Sequence, residues 1–549
     1  MRSSKRTIAG VAVVGIAGAG VIGGSLAASA QPQSKPVPPA GIQLTSVDAN
    51  PKVAGLTVPN ALSPELAEEV AAQGSRKLEN GTADIPYYGY LGDGPLMPAT
   101  GDVPAAGHKV EASKTEPDKN TYLVLPGQKG ADPSYDYGTH FLFQGHEGGG
   151  KGYITRVNLD ADAAHRITLL ASTSTDGKAL PTFDGSTWDP WARRLLFTAE
   201  LGNAGGVWAS TLDGQAEDIS AATGRGGYEG IQNDSAGNLW IVEDVGGATV
   251  SGDKAKIPNS FVYRFVPAER DDLKHGKLQA LQVISNRTGQ PITFQAIDAA
   301  HPKGNAFSDD TKDLHTYGQA FTTHWVTIHD TASDTSGTGF DANALAKAAK
   351  ATPFKRPENG VFRPGTGFGE FYFTETGDTN ADSTANNGYG GWGAVLKFAQ
   401  ADPKADIGTL SLVYNGDKQH TGIDNLAFAD GNHLAVVEDA GDGLHSQRNA
   451  LDSGYLFDLA ADYAHGAQPV RFLGEGRDPS ATLDSAFSSY PGFTNDGDNE
   501  ITGIHVSDGD PTPVGILGAK VPTPFRDGWR VFWTQQHGDN TTWEIVPAH

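Results

Sequence analysis

The sequence predicts an all-β fold, a β-propeller of about six blades, each of four antiparallel strands, with an N-terminal extension. Three observations predict it. Short alternating segments recur at 122–125, 140–143, 153–159, 195–198, 239–242, 261–265, 371–373, 395–398, 434–437 and 455–459. Turn residues punctuate them, and the 549 residues include 70 glycines and 32 prolines. A unit of acid, strand, turn, strand and acid also repeats at irregular spacing, which radial repetition of four-stranded blades fits.

In chain order, residues 1–30 read as an export signal. Lys5 and Arg6 give a positive start, residues 8–26 are uncharged, and Ala28-Ser29-Ala30 offers a small-residue cleavage site. Gln31 then begins the mature chain. An uncleaved anchor is the alternative, and the Lys-Arg pair, where a twin-arginine signal carries Arg-Arg, leaves the export route open. Residues 31–119 form a linker and extension: a Pro-rich stretch at 31–40, then a short helix at 64–73 opened by Ser63-Pro64 with Glu65, Glu68 and Glu69. The propeller domain spans 120–549. Within it, the Ala-rich segment 341–350 reads as a second short helix decorating a loop.

Composition limits the function. The chain has no cysteine, which excludes disulfides, thiolate metal sites and a cysteine nucleophile. With 65 acidic against 41 basic residues the formal charge is −24, a surface that repels nucleic acid and anionic membrane. We expect neither as a partner. The chain shows no Gly-x-Ser-x-Gly elbow and no His-Glu-x-x-His zinc spacing. Trp188, Trp191, Trp208, Trp240 and Trp533 lie in or beside blade strands, where packing is their expected role.

The acids are patterned. Repeat units run from Asp184 to Glu200, Glu229 to Glu243-Asp244, Glu358 to Glu375, Asp424 to Glu438-Asp439, and Glu500 to Gln535-Gln536-His537, with an earlier unit around His146-Glu147. A further unit is sought near residues 321–330. A hairpin brings the start of its first strand beside the end of its second, so both acids share one end. In a propeller the first strand of each blade lines the central channel. Repetition therefore gathers Glu147, Glu200, Glu229, Glu243, Asp244, Glu358, Glu375, Asp424, Glu438, Asp439 and Glu500 at one channel mouth. Crowded carboxylates must take up protons or bind cations. Hard oxygen donors suit calcium, so several Ca2+ ions are expected. Asp378-x-Asn380-x-Asp382 has calcium-loop spacing without the following glycine or Glu; a solvated turn and an isolated calcium loop are both open. Asp496-Gly-Asp498 is a similar turn.

Taken together, these segments resemble the PhoX-type alkaline phosphatases. The likeness is carried by Gly145-His146-Glu147, residues 187–200, Tyr228-Glu229-Gly230 with 240–244 and Tyr263-Arg264-Phe265, and Arg356-Pro357-Glu358 with 372–376. Asp424-Asn425-Leu426 with Val437-Glu438-Asp439, and 499–503 with Gln535-Gln536-His537, complete it. The resemblance implies a six-bladed secreted or periplasmic phosphatase whose calcium and iron cluster hydrolyses phosphate monoesters. It implies Glu147, Glu200, Glu229, Glu358, Asp424 and Glu500 as acidic ligands or their support. Where the family places a cysteine on iron, this chain has Ala199, which leaves Fe3+ without its thiolate. Arg356 is the expected phosphate clamp, with Glu358 and His537 as further catalytic candidates and Arg225 a lesser one at the same mouth. The expected partner is a small phosphorylated substrate, met by a monomer. Alternatives are a calcium-dependent phytase or lactonase, and a non-catalytic calcium-stabilised binding propeller.

Overall fold

The computed structural model describes residues 43–52, 58–94, 96, 112–476 and 500–548. The expected export signal and the turn at Asp496-Gly-Asp498 lie outside these residues. No helix among the described residues is long and apolar enough to cross a membrane.

The chain is an all-β propeller of six blades. The first consists of Thr121–Val124, His140–Gly145, Ile154–Asn158 and Ile167–Ala171; the second of Ser186–Asp189, Arg194–Ala199, Gly206–Ser210 and Ala216–Asp218. The third is Tyr228–Asn233, Leu239–Glu243, Val262–Pro267 and Gly276–Val283, and the fourth Gly360–Phe362, Glu370–Glu375, Ala394–Gln400 and Ile407–Asn415. The fifth starts with Ile423–Phe428, His433–Glu438, Ser453–Asp458 and Val470–Gly474, the sixth with Glu500–Ser507, Arg530–Gln536 and Thr542–Pro547. Every strand-to-strand pairing among the described residues is antiparallel. The first strands touch in a closed ring, first blade to sixth and back to the first.

Each blade is buried on both faces, which is why strands such as Leu239–Glu243 read as nearly continuous apolar runs. The core is divided into apolar wedges between neighbouring blades. Phe141 and Phe143 meet Phe197 and Trp208 between the first and second, and Trp240 meets Phe371 and Phe398 between the third and fourth. Phe532 of the sixth blade packs with Tyr122 and Leu142 of the first, closing the circle. Trp188, Trp208, Trp240 and Trp533 are buried in these wedges, and Trp191 packs against one.

Two expectations are corrected. The segment expected as a helix at 64–73 is a strand, Leu66–Ala72, paired with Thr542–Pro547 in the register Glu68↔Ile545 and Val70↔Trp543. The sixth blade has only three strands of its own after residue 500. Its open edge recruits this segment, and sheet pairing overrides the local start signals of Ser63-Pro64-Glu65. Just before it, Ala61–Leu62 adds a fifth strand to the fifth blade against Leu473 and Gly474. The segment near 321–330 is no further blade. Ala320–Asp330 is a long strand joining the outer edges of the third and fourth blades, through Gly276–Val283 and Ile407–Asn415, into one nine-stranded sheet. The helix at 341–350 is present as Ala342–Ala348, with the Asp341 side chain accepting from the Ala344 amide at 2.8 Å. Its Ala342 and Ala346 pack into the wedge of the second and third blades.

Candidate metal centre

Each blade delivers an acid to the beginning of its channel-lining strand: Asp118, Asp184, Glu229, Glu358, Asp424 and Glu500. Small residues follow several of them for a steric reason. A β-carbon on Gly185 would come within 2.6 Å of the Glu229 carbonyl, and one on Gly230 within 2.6 Å of the Asn359 side chain. The innermost strands thus approach closely enough for acids of different blades to meet.

Three groups of carboxylates form among the described residues. Asp118, Glu147 and Asp184 make one, Asp184, Glu200 and Glu229 the next, and Glu229, Glu358 and Asp424 the third; in each, one oxygen per residue lies within 4.8 Å of the others. Asp184 and Glu229 are each shared by two groups, so the seven acids form a continuous chain along the mouth. Burial, and then repulsion from neighbouring carboxylates, pushes Asp118, Asp184, Glu229 and Asp424 well above the usual carboxylate range. Asp184 and Asp424 are almost fully buried, and Oδ1 of each lacks a hydrogen-bond partner. A buried carboxylate oxygen without a donor suits a cation.

The surrounding side chains hold these acids in place. Gln536 Nε2 donates to Asp118 Oδ2 at 3.1 Å and to Glu147 Oε2 at 3.0 Å. The Thr376 hydroxyl donates to Glu358 Oε1. Arg356, at φ +57°, places Nη2 2.8 Å from Asp244 Oδ2 and 3.3 Å from Glu358 Oε1. Burial alone would lower this guanidinium, but Asp244 and Glu358 hold it well above its ordinary value. Lys119 is buried beneath the acids. Burial pulls its ammonium down to about 8, against the opposing pull of Asp424, Asp118 and Asp184.

The remaining expected residues sit elsewhere. Glu243 accepts from Tyr263 Oη at 2.9 Å and Asn343 Nδ2 at 2.9 Å, and burial pushes it up to about 7. Glu438 is ion-paired with Arg448. Glu375 accepts from the Lys355 amide at 2.7 Å and pairs with His315 Nε2 at 2.7 Å. These three brace the loops behind the mouth and belong to none of the carboxylate groups. Asp439 acts electrostatically on Arg356 and Asp424. Glu500 stands opposite Gln536 in the sixth blade, outside the three groups. His537, at φ +62°, has Nδ1 3.2 Å from Glu116 Oε1. Arg225 pairs with Asp218 at 2.6 Å. Asp378 does not lie in a solvated turn. It is buried, with Lys355 Nζ at 2.9 Å and Ser383 Oγ at 2.6 Å.

Sequence reasoning missed Asp118, Asp184, Lys119 and Gln536. Asp184 opens its repeat unit and could have been counted with the other first-strand acids. Asp118 was hidden because the first unit was anchored on Glu147.

The donor set decides which cation fits. Every donor in the three groups is a carboxylate oxygen, which suits a hard cation of the calcium type. Thiolate-bound iron does not fit. Ala199 is fully buried in the apolar wedge of the first and second blades and supplies no donor.

The sequence model of one family, described as alkaline phosphatase PhoX, matches residues 241–517, half of the chain. Among solved structures, Pseudomonas fluorescens PhoX in complex with vanadate, a transition state analogue, is similar at 12% identity and a TM-score of 0.51. That match covers 92% of this chain and 98% of that one. The likeness is one of fold. TolB from Acinetobacter baumannii, at 10% identity over 79% of this chain and 64% of its own, has a TM-score of 0.28. A gluconolactonase from Xanthomonas campestris, at 14% identity over 69% of this chain and 89% of its own, reaches 0.27. Both scores are too low to bear on fold or function. No curated protein matches the chain in sequence.

Proposed function

The chain belongs to the alkaline phosphatase PhoX family, and from that premise we propose that it hydrolyses phosphate monoesters with divalent, calcium-type cations at the channel mouth. The observation that carries this reading is the run of three carboxylate groups sharing Asp184 and Glu229. Asp118, Glu147, Asp184, Glu200, Glu229, Glu358 and Asp424 would hold the cations. Cations there supply charge neutralisation for phosphate oxygens and a more acidic bound water.

The chain's own residues do the rest. Gln536 fixes the rotamers of Asp118 and Glu147 together. Asp244 holds Nε and Nη2 of Arg356, leaving Nη1 to donate to a phosphate oxygen as the clamp. Glu358, braced by Thr376 and Arg356, keeps its carboxylate aligned with Glu229 and Asp424. His537, with Nδ1 3.2 Å from Glu116 Oε1 and next in sequence to Gln536, is a further candidate to meet the substrate at this edge. The substrate is a small phosphorylated molecule, met outside the cytoplasm by a monomer whose leader is residues 1–30.

Ala199 favours a second reading, in which the cations only stabilise the propeller. One experiment separates the two. Purified protein is assayed with p-nitrophenyl phosphate, inositol hexakisphosphate and a simple lactone, before and after EGTA. Calcium-dependent cleavage of p-nitrophenyl phosphate is expected. Turnover of the lactone alone, or EGTA lowering stability with no phosphatase activity at any calcium level, would reject the proposal.

A further inference from the structure

Lys119 spans the channel. It follows Asp118 at the entry to the first blade's inner strand, and its Nζ donates to Asn359 Oδ1 at 2.9 Å. Asn359 precedes the inner strand of the fourth blade, diametrically opposite in the ring of six. The residue is buried at 2% exposure. The crossing is built in: a β-carbon on Gly503 would lie 2.8 Å from the Lys119 Cα, and one on Gly230 would strike Asn359. Glycine at both positions makes room for the two ends of the bridge. The ammonium is placed to act on Asp424, Asp118 and Asp184, acids of three different blades. Those same acids take part in all three carboxylate groups.

We infer that Lys119 is a chain-borne cation of the cluster, a positive charge held across the channel by Asn359 that limits how tightly, and how many, divalent ions the carboxylates hold. A buried positive charge acting on these ligands repels an incoming divalent ion, and burial keeps the repulsion from being screened. The same charge offsets part of the carboxylate repulsion whenever cations leave. The inference rests on the carboxylates being a cation site.

The test is a calcium titration of the full chain by competition with a chelator of known affinity, with elemental analysis of the loaded protein. Lys119→Met should bind calcium roughly tenfold or more tightly, or take up an additional ion. Its metal-free form should melt below the metal-free parent, and calcium should close that gap. Lys119→Gln drops the charge while keeping a polar side chain, one atom shorter, toward Asn359, so it reports the loss of charge if the Met variant does not fold. Lys119→Arg keeps the charge and should bind as the parent does. Unchanged or weaker calcium binding in a folded Lys119→Gln protein overturns the inference while leaving the cation site intact. A parent chain that binds no divalent cation removes the site itself, and this inference with it.

Discussion

Arg448 closes on Glu438 with two parallel hydrogen bonds, Nη1 to Oε1 and Nη2 to Oε2, each 2.9 Å long. A third contact, Nη2 to Asp452 Oδ1 at 3.1 Å, ties in a second buried carboxylate. Glu438 is thereby committed to holding the helix Gly441–Arg448 against the fifth blade. Arg448→Met leaves Glu438 as a buried carboxylate without its counter-charge and should cost about 3–5 kcal/mol. Urea denaturation measures it. The double variant Arg448→Met/Glu438→Leu should recover much of the loss, because replacing both partners is far less costly than orphaning one.

Asp184 and Glu229 each belong to two carboxylate groups. Asp184→Asn or Glu229→Gln should lower kcat about 10²–10³-fold, the scale of losing charge stabilisation at a reacting group, and should reduce bound calcium. Glu243→Gln, outside the groups, should retain the calcium content of the parent. Kinetics on p-nitrophenyl phosphate with elemental analysis decides; full calcium content in Asp184→Asn would refute the shared-ligand arrangement.

Removing cations should have a pH-dependent cost. Asp118, Asp184, Glu229 and Asp424 are pushed well above the usual carboxylate range, first by burial and then by one another. Groups raised on folding contribute stability that is fully present below their unfolded values and lost as pH rises through the folded ones. The EGTA-treated protein should therefore weaken from pH 5 to pH 8, and the melting gap to calcium-loaded protein should widen over that interval. A gap that stays constant contradicts the repulsion argument.

His505 has the opposite sign. Burial, reinforced by Lys119, lowers it to about 3, and its Nε2 accepts from the Tyr122 amide at 3.3 Å. The stability it contributes is complete above its unfolded value of 6.5 and is lost as pH falls toward 3. In calcium-loaded protein, His505→Gln should flatten the acid limb between those values by up to about 1.4 kcal/mol per pH unit. Chemical denaturation at stepped pH provides the comparison.

Leu66 packs among Ile504, Trp533 and Ile545 at the closing strand. Leu66→Ala should cost about 2–5 kcal/mol, the usual range for a buried leucine, as read by thermal or urea unfolding. An effect below about 0.5 kcal/mol, the scale of a surface substitution, would mean the strand contributes little to closure.

The propeller and five of the mouth acids, Glu147, Glu200, Glu229, Glu358 and Asp424, were legible because a hairpin's period and its end positions are local properties. Legibility failed wherever a residue's direction depends on the next residue or on a distant strand. In Glu243-Asp244 and Glu438-Asp439 successive side chains leave the strand on opposite sides. The glutamates turn back to Tyr263 and Arg448, while Asp244 reaches Arg356. No pattern within the pair separates the two. The segment 64–73 carried helix signals because its partner lies at the far end of the chain. Lys119 looked like one basic residue among many, since only the ring places Asn359 across from it.

That distant partnership bears on biogenesis. Glu68 pairs with Ile545, so the strand Leu66–Ala72 has no complement until residues 542–547 have been synthesised. Blades can collapse in order on the ribosome, yet the circle stays broken, with a naked sheet edge open to mispairing. Closure needs both strands, and a chain cut short before Thr542–Pro547 leaves the circle open, however many blades it has completed.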